Sequence, residues 1–377
     1  MISYRRSSLA RTTTTALSLL ALAGLGLSVA PRTAQAADGC SKVAAPYGVE
    51  GAAGSESEPF GSAQELADSL APGETGCLRG GSYSDDSVYI LSPSKGGAPG
   101  APITLRSYPG ERAKLVGIVN MRAGVENVTL SGLDFVGTPD MATIKIYSAD
   151  IVVEDSDVTN NQVGGSCFML GNNSGGGQAV RTIVRRNRIH ECGTADNVVA
   201  RAHGIYTANM VDGEIVDNIL YNPAAYAITL YPNAHRNLIA HNVIDGASPL
   251  DRGGIVFGSD SSYASTGNVV EHNVIAYAET YGITTAWDGA PGAGNLARSN
   301  CIWNARVGSV SSGVGFAATN NTTADPGFAD RASHDYRLSP NSACLQTVGY
   351  DTAAKLTGQP GPAPSIDLPG LPFPFDS

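Results

Sequence analysis

Residues 215–220 read IVDNIL, and the same arrangement of apolar and polar positions around an Asn returns along the chain. A repeat of roughly this length, without helical periodicity, predicts stacked coils of β-strand that bury one continuous core. The clearest other copies are VRRNRI (184–189), IAHNVI (239–244), VEHNVI (270–275) and ARSNCI (297–302). Their aligned residues are Asn187, Asn218, Asn242, Asn273 and Asn300, with spacings of 31, 24, 31 and 27 residues.

Two looser copies precede these. VTLSGLDF (128–135) places Leu133 in register, and VVEDSDV (152–158) places Ser156 there. An Asn at the same turn of successive coils can satisfy the turn backbone and bond the Asn above and below. We therefore predict an all-β parallel solenoid with a ladder of buried Asn side chains.

The first 36 residues have the features of a signal peptide. Arg5 and Arg6 give a positive start, residues 16–30 are apolar, and Ala34-Gln35-Ala36 is a small-residue cleavage site. Because no later apolar run is long enough to cross a bilayer, we expect a secreted protein. The Arg pair leaves both general and twin-arginine export open.

Six cysteines remain after the expected cleavage. In an exported chain an even number of cysteines indicates disulfides, and six allow 15 connectivities. We favour sequential pairing, and no Cys-x-x-Cys or Cys/His cluster suggests structural zinc. The expected bonds are Cys40–Cys77, Cys167–Cys192 and Cys301–Cys344.

The charge of the chain limits its partners. The net charge is −10, and removing the four Arg of residues 1–36 brings it to about −14. This acidity disfavours nucleic acids and anionic membranes as partners. A polyanionic substrate would need a local basic patch or a bridging cation. We expect a monomer that acts on a polysaccharide.

The ends of the solenoid have their own signals. Ser62-Ala-Gln-Glu65 is a capping box that predicts a short helix over residues 62–70, covering the open end of the first coil. We assign residues 37–85 to this N-terminal cap and 86–350 to the solenoid with a closing segment. Residues 351–377 are Pro-rich and are expected to form a tail.

Several phrases outside the repeat are similar to secreted right-handed parallel β-helix proteins of the pectin-lyase-like superfamily. They are SLAPGETGCLRGGSY (69–83), PITLRSYPGERAKLVG (102–117) and the ending DPGF (325–328) with DYRLSP (335–340). The resemblance, over residues 62–345, implies a right-handed parallel β-helix. It leaves the reaction open, since that superfamily includes polysaccharide lyases, hydrolases, uronate epimerases and non-catalytic proteins. The Asp-Pro-His-Asp of the epimerases and the Gly-His-Gly of the polygalacturonases are absent from this sequence.

Aligning the coils on one recurring strand predicts which side chains share a face. The phrases CFMLGNN, GIYTANM, AITLYPN, GIVFGSD and GITTAWD place Phe168, Ile205, Ile228, Ile255 and Ile283 inward. Because side chains alternate along a strand, the outward column should read Lys145, Met169, Tyr206, Thr229, Val256 and Thr284. Two residues further along each strand, a second outward column should comprise Tyr147, Gly171, Ala208, Tyr231, Gly258 and Ala286. At the edge of the sheet, a third column should comprise Asn173, Met210, Asn233, Asp260 and Asp288.

One coil, ARAHGIYTAN (200–209), carries several side chains suited to catalysis. They lie beside an expected trough on the outward face, lined by the small residues Gly171, Ala208, Gly258 and Ala286. β-Elimination of a uronate needs a cation for the carboxylate, a base for the C5 proton and an acid for the leaving oxygen. Arg201, or Lys145, could supply the cation, His203 the base and Tyr206 the acid. The same groups would serve C5 epimerisation. In the structural alternative, His203 packs at a corner and Tyr206 is a strand residue.

A second constellation combines Asn233, Asp260 and Asp288. Oxygen ligands of this kind suit Ca²⁺, which could bridge to a substrate carboxylate, and the Asp pair could instead serve a glycoside hydrolase. In the structural alternative, both Asp residues are turn residues, since Ser-Asp and Asp-Gly mark turns. The expected substrate-binding residues are Lys145, Tyr231, His235, Arg236 and Trp287. The leading hypothesis is a polysaccharide lyase, with a hydrolase, an epimerase and a non-catalytic carbohydrate-binding protein as alternatives.

Overall fold

The computed structural model describes residues 39–139, 141–195, 202–311 and 314–356. Arg201, the expected signal peptide and the tail beyond residue 356 lie outside these ranges. The predicted domain boundaries and the predicted signal peptide stay predictions.

Short strands stack into three long parallel sheets in the described part of the chain. Sheet A comprises Lys42–Ala44, Thr75–Leu78, Ile103–Ser107, Val128–Ser131, Ile151–Glu154, Ile183–Arg185, Glu214–Val216, Leu238–Ala240, Val269–Glu271, Asn295–Arg298 and Phe316–Thr319. Sheet B comprises Gly81–Tyr83, Ala113–Val116, Asp134–Val136, Asp157–Thr159, Arg188–His190, Ile219–Tyr221, Val243–Asp245, Val274–Ala276 and Cys301–Trp303. Sheet C comprises Tyr89–Leu91, Ile118–Met121, Ile144–Ile146, Phe168–Leu170, Ile205–Tyr206, Tyr226–Leu230, Gly253–Ser259, Tyr281–Trp287 and Gly308–Val310.

In the described part of the chain nine coils contribute one strand to each sheet, and sheet A has one further strand at either end. The predicted all-β parallel solenoid is therefore confirmed. Strands of the solenoid already occur within residues 37–85, where Lys42–Ala44 pairs with Thr75–Leu78. Two further parallel strands, Ala179–Val180 and Met210–Val211, pair beside sheet C.

The core lies between the three sheets and is filled by stacked apolar columns. The inward column predicted for sheet C is confirmed, because its five members pair strand to strand and are fully buried. They are Phe168, Ile205, Ile228, Ile255 and Ile283. Burying one such side chain contributes roughly 1.5–3 kcal/mol, so stacking supplies the stability that a single coil lacks.

The predicted Asn ladder is present at the turn between sheets A and B. Each side chain donates from Nδ2 to Oδ1 of the next Asn at 2.9–3.0 Å, from Asn187 through to Asn300. The ladder continues by one step to Asn321, which the sequence analysis missed. Ser156 and Leu133 extend it in the other direction through their backbone N–H groups.

The residue before each ladder Asn has a left-handed backbone. His241 (φ 55°) and His272 (φ 54°) are two of these residues, and their rings stack with centroids 5.2 Å apart. Both histidines therefore belong to the repeated turn and lie away from sheet C.

A second ladder lies five residues upstream of the first. Asn237 donates to Asn268 and Asn268 donates to Asn295, each at 2.9 Å. The signal was present in the sequence, since these residues stand five positions before Asn242, Asn273 and Asn300. The two ladders fix both ends of the sheet A strands.

The three predicted disulfides are confirmed. Cys40–Cys77, Cys167–Cys192 and Cys301–Cys344 have Cα–Cα distances of 5.6, 5.2 and 5.3 Å. Such bonds are typical of exported proteins. None of the helices in the described ranges has the length and hydropathy to span a bilayer.

A short helix, Ala63–Ser69, forms where the capping box predicts it. The Ser62 hydroxyl accepts from the Glu65 N–H, as a capping box requires. The reciprocal half is absent because the Glu65 carboxylate accepts from the Gly51 N–H instead. Leu66 and Ala67 of this helix are buried in the core.

The closing segment folds back over sheet B. Phe328–Asp330 and Asp335–Leu338 form an antiparallel pair around the 3₁₀ helix Arg331–Ser333, and the helices Ala343–Val348 and Thr352–Leu356 follow.

Three hydrogen bonds to one carboxylate anchor this segment. Asp245 of sheet B, 3% exposed, accepts two bonds from Arg331 and one from the Tyr336 hydroxyl. As far as it is described, the segment therefore packs over sheet B.

Candidate functional site

The outward face of sheet C carries the residues that the rung alignment predicted. Lys145 pairs with Met169, Met169 with Tyr206, Tyr206 with Thr229, and the column continues through Val256 to Thr284. Six strands at a spacing of about 4.8 Å give a face roughly 24 Å long. A polymer chain could lie along it.

The predicted edge position of Met210 was wrong. Met210 is fully buried in the core instead of lying at the edge. The strand Ile205–Tyr206 has two residues, so the chain turns early and Asn209 takes the edge position. There Asn209 accepts from Gln178 and Asn233.

A cavity of about 420 Å³ opens on this face. Its volume falls in the range of small-molecule sites, which combine apolar walls with a few convergent polar groups. Apolar atoms of Ala, Leu and Val side chains supply most of the wall. The polar and aromatic lining residues are His203, Tyr226, Thr229, Tyr231, Arg252 and Asp288.

His203 is fixed between two aromatic rings. Its ring centroid lies 5.5 Å from that of Tyr206 and 6.0 Å from that of Tyr226. Its Nδ1 accepts a 3.2 Å hydrogen bond from the Tyr226 backbone N–H. Since that donor occupies the Nδ1 lone pair, the neutral ring carries its proton on Nε2. This geometry favours a hydrogen-bond donor at Nε2 over the general base expected from the sequence.

Tyr206 and Lys145 are both buried on this face, each 8% exposed. Tyr206 packs in an apolar cluster with Met169 and Ala208. Burial lowers the pKa of the Lys145 ammonium. Among the described residues no carboxylate pairs with Lys145.

Arg252 is a cation of the cavity that the sequence analysis missed. Its guanidinium carbon lies 5.4 Å from the Tyr226 ring centroid, and Nη1 lies 3.5 Å from the Tyr226 hydroxyl. It forms no ion pair with any described carboxylate. Its position was readable from the repeat, because three residues before the strand Ile the other coils carry Ala202, Ala225 and Thr280.

Three of the expected binding residues have bonds elsewhere in the protein. Arg236 pairs with both Asp212 oxygens at 2.6 and 2.8 Å. His235 contacts Thr266 at 2.8 Å and Asn233 at 2.6 Å, and burial lowers its pKa. Trp287 donates to the Val314 carbonyl at 2.6 Å and packs on the core. None of the three lines the cavity, whereas Tyr231 does.

The expected metal ligands are only partly brought together. Asp288 lines the cavity, and burial, then the charges of Asp288 and Asp260, raise the pKa of Tyr231. Asp260 Oδ1 also accepts from two backbone N–H groups of its own turn, at 2.7 and 2.8 Å.

Asn233 is bonded into a network instead. Its Nδ2 donates to Asn173 at 3.0 Å and to Asn209 at 3.3 Å. Over the described ranges no cluster of three or more His, Cys, Asp and Glu side chains is arranged to hold a metal. Calcium binding at Asn233, Asp260 and Asp288 stays a prediction, with the two carboxylates as its better-placed ligands.

Comparisons with known proteins agree with this fold. A family model described as the right-handed beta helix region matches residues 121–268. No curated protein sequence matches the chain. The chain is similar in structure to pectate lyase Pel9A, with a TM-score of 0.59, 14% identity, and coverage of 80% of this chain and 90% of that one.

Two further structures are similar. A rhamnogalacturonan lyase has a TM-score of 0.51 and 11% identity, with coverage of 75% of this chain and 86% of that one. A GH136 lacto-N-biosidase from Eubacterium ramulus has a TM-score of 0.51 and 14% identity, with coverage of 74% and 59%. The chain therefore has a right-handed parallel β-helix fold.

Proposed function

We propose that this protein is a secreted carbohydrate-active enzyme, a polysaccharide lyase that cleaves a uronate-containing polymer by β-elimination. The observation that carries the proposal is the cavity on sheet C. It joins the aromatic residues Tyr226 and Tyr231 to Arg252, a cation without a carboxylate partner among the described residues. Tyrosine rings suit sugar faces, and an unpaired guanidinium suits a sugar carboxylate.

The distribution of charge supports an acidic substrate despite the net charge of −10. Arg181, Arg186 and Arg236, on other parts of the coils, are neutralised by Asp and Glu partners. The trough instead presents Lys145 and Arg252 without described carboxylate partners. Two cations without described ion-pair partners are what a polyuronate needs from an acidic protein, although Asp288 also lines the cavity.

The chemistry follows from the orientation of His203. Its Nε2–H donates to the substrate carboxylate together with Arg252, which stabilises the negative charge that develops when the C5 proton leaves. Arg201, expected from the sequence to share this role, lies outside the described residues. Neutral histidine in such a position acts as an electrophile, as in other enzymes that polarise carbonyl groups.

Tyr206, whose ring stacks on His203, carries the proton in this proposal. As the phenolate it takes the C5 proton, and the electrons of the C5–H bond form the C4–C5 double bond. The C4–O bond breaks, and the Tyr206 hydroxyl returns the proton to the departing oxygen.

A glycoside hydrolase is the second candidate function. Asp288 lines the cavity, and Asp260 is close enough for both charges to act on Tyr231. Paired carboxylates on either side of a sugar are the requirement for hydrolysis. The lyase is preferred because Asp260 is bonded within its own turn. A Ca²⁺ ion at these carboxylates would be a second means of neutralising a uronate.

The test is to incubate the protein with polyuronates, glycosaminoglycans and neutral glycans, with Ca²⁺ and with chelator. Ultraviolet absorbance of unsaturated sugars and reducing ends are recorded together. We expect both signals to rise on a polyuronate. Reducing ends without absorbance would identify a hydrolase, and silence of both would leave epimerisation or binding alone. Loss of activity with chelator would assign carboxylate neutralisation to Ca²⁺.

A matched pair of variants tests the role of Arg252. Arg252→Ala should lower kcat/KM on the polyuronate about tenfold to a hundredfold, the loss of one charged hydrogen bond. Arg236→Ala removes the same side chain from an ion pair off the cavity and should leave kcat/KM nearly unchanged. Equal losses in the two variants would contradict a specific carboxylate contact at Arg252.

A further inference from the structure

A second polar site lies at the N-terminal end of the trough, four strands from Arg252. Lys145 pairs in register with Asn120 of the neighbouring strand. The two side chains share the outward face of sheet C and are 8% and 9% exposed. At about 4.8 Å per strand, Lys145 lies roughly 19 Å from the strand that follows Arg252.

Both buried polar groups lack the partners that such groups normally have. The Lys145 ammonium lies 3.9 Å from the Met141 sulfur and 5.9 Å from the Tyr89 ring centroid. No described carboxylate neutralises it. The Oδ1 atom of Asn120 is buried without a hydrogen-bond partner, while its Nδ2 donates to Ser92 at 3.4 Å. Buried polar groups are usually satisfied, so a cation and a neighbouring acceptor that both lack partners among the described residues indicate a ligand.

The surroundings suit a sugar ring. Tyr89 is 36% exposed and Met141 is 37% exposed, although both are large apolar side chains. They stand beside the Lys145 ammonium, so an exposed aromatic face and a thioether adjoin a buried cation. Aromatic faces next to a few fixed polar groups are typical of small-molecule sites.

We infer that Lys145 and Asn120 form a distal subsite for one acidic sugar of the polymer. Lys145 donates to the sugar carboxylate, and Asn120 Oδ1 accepts from a hydroxyl of the same sugar. The Tyr89 ring and the Met141 side chain contact the apolar face of the ring. The inference rests on the proposed function for its substrate class. Such a subsite would make the enzyme prefer uronate chains long enough to reach both Lys145 and Arg252.

The test measures binding by calorimetry in a Tyr206→Phe background, so that cleavage does not interfere. The probes are a decamer and a trimer of galacturonate, the same sizes of mannuronate, and each decamer with its carboxyls reduced to alcohols. Lys145→Met should weaken binding of an acidic decamer about tenfold to a hundredfold, the effect of one charged hydrogen bond. It should leave the reduced decamers unaffected. Asn120→Leu should weaken the same decamer by less, about fivefold to tenfold.

Two controls separate a subsite from misfolding or net charge. Lys114→Met makes the same change on an exposed residue of sheet B and should leave the dissociation constant unchanged. Lys145→Met should be at least as stable to heat as the parent protein, because it replaces an unpaired buried charge with an apolar side chain. In the protein with Tyr206 intact, Lys145→Met should lower kcat/KM more on the decamer than on the trimer, because only the decamer reaches both Lys145 and Arg252.

The outcomes distinguish this inference from the proposed lyase activity. Unchanged decamer binding in Lys145→Met, an equal loss in Lys114→Met, or no binding of any acidic decamer would overturn the subsite. A specific loss of decamer binding in a protein that cleaves no polymer would retain the subsite and refute the lyase.

Discussion

At the scale of single residues, the Asn ladder shows how one side-chain amide satisfies several buried hydrogen-bonding groups. Asn218 Nδ2 donates to Asn242 and to two backbone carbonyls, and its Oδ1 accepts from the Asn187 backbone and side chain. Isolation from water makes each unmet bond costly. The residue type is therefore dictated at every coil, which is why the ladder was readable from the sequence.

Asn218→Leu should destabilise the fold by about 1–3 kcal/mol, since the carbonyls and the Asn187 amide lose their partner inside the protein. The measurement is the free energy of unfolding from denaturant titration. Asn321→Leu is the matched control, because Asn321 ends the ladder and is less buried, and it should cost less. Equal midpoints for Asn218→Leu and the wild-type protein would count against the ladder as a source of stability.

The site residues were less predictable than the ladder residues. Tyr206 and Tyr231 were placed on the correct face because alternation along a strand fixes which way side chains point. The role that we propose for His203 differs from the one expected from the sequence, because the backbone N–H of Tyr226 on the next coil donates to its Nδ1. A contact of this kind depends on the geometry of the approach to the strand, which periodicity does not specify.

At the scale of elements, the disulfide Cys167–Cys192 positions the approach to the cavity. Cys167 lies next to the strand Phe168–Leu170, and its backbone N–H donates to the His203 carbonyl at 3.2 Å. The disulfide Cys167–Cys192 therefore links two neighbouring coils close to His203, just before the chain enters sheet C. The disulfide Cys40–Cys77 lies instead at the N-terminal end of sheet A.

Replacing Cys167 and Cys192 together by Ser should cost about 2–4 kcal/mol of stability and should also lower activity or sugar binding, because His203 loses its support. Replacing Cys40 and Cys77 together should cost a similar amount of stability while sparing activity at temperatures where the variant is folded. The measurements are thermal unfolding and kcat/KM on the substrate found by the panel. Equal activity in the two variants would show that Cys167–Cys192 has no influence on the site.

At the scale of the whole molecule, the closing segment links distant coils. Tyr350 stacks on His241 with ring centroids 4.2 Å apart and donates to Asp217, and the Thr352 hydroxyl donates to the His241 carbonyl at 2.6 Å. The segment thus buries a histidine that belongs to the turn between sheets A and B. Burial, then the charges of His272 and Lys355, lowers the pKa of His241 to about 4.

This burial predicts acid sensitivity. An unfolded histidine titrates near pH 6.5, so between about pH 4 and 6.5 the unfolded chain holds a proton that the folded protein does not. Stability should fall as the pH is lowered through this window, by about 3 kcal/mol from His241. His241→Asn, which tolerates the left-handed backbone, should flatten the dependence of the unfolding free energy on pH. Parallel curves for the variant and the wild-type protein would contradict the assignment.

The sequence by itself determined the coiled architecture and the outward column of sheet C. These features repeat at every coil or obey alternation along a strand, so local spacing encodes them. The tertiary structure decided which polar groups meet across coils. Arg252 lines the cavity, whereas Arg236 forms an ion pair with Asp212. The Asn120 Oδ1 atom, next to Lys145, has no hydrogen-bond partner among the described residues. These contacts between coils depend on how turns of different length orient the side chains, and the spacing of the repeat does not determine the orientation.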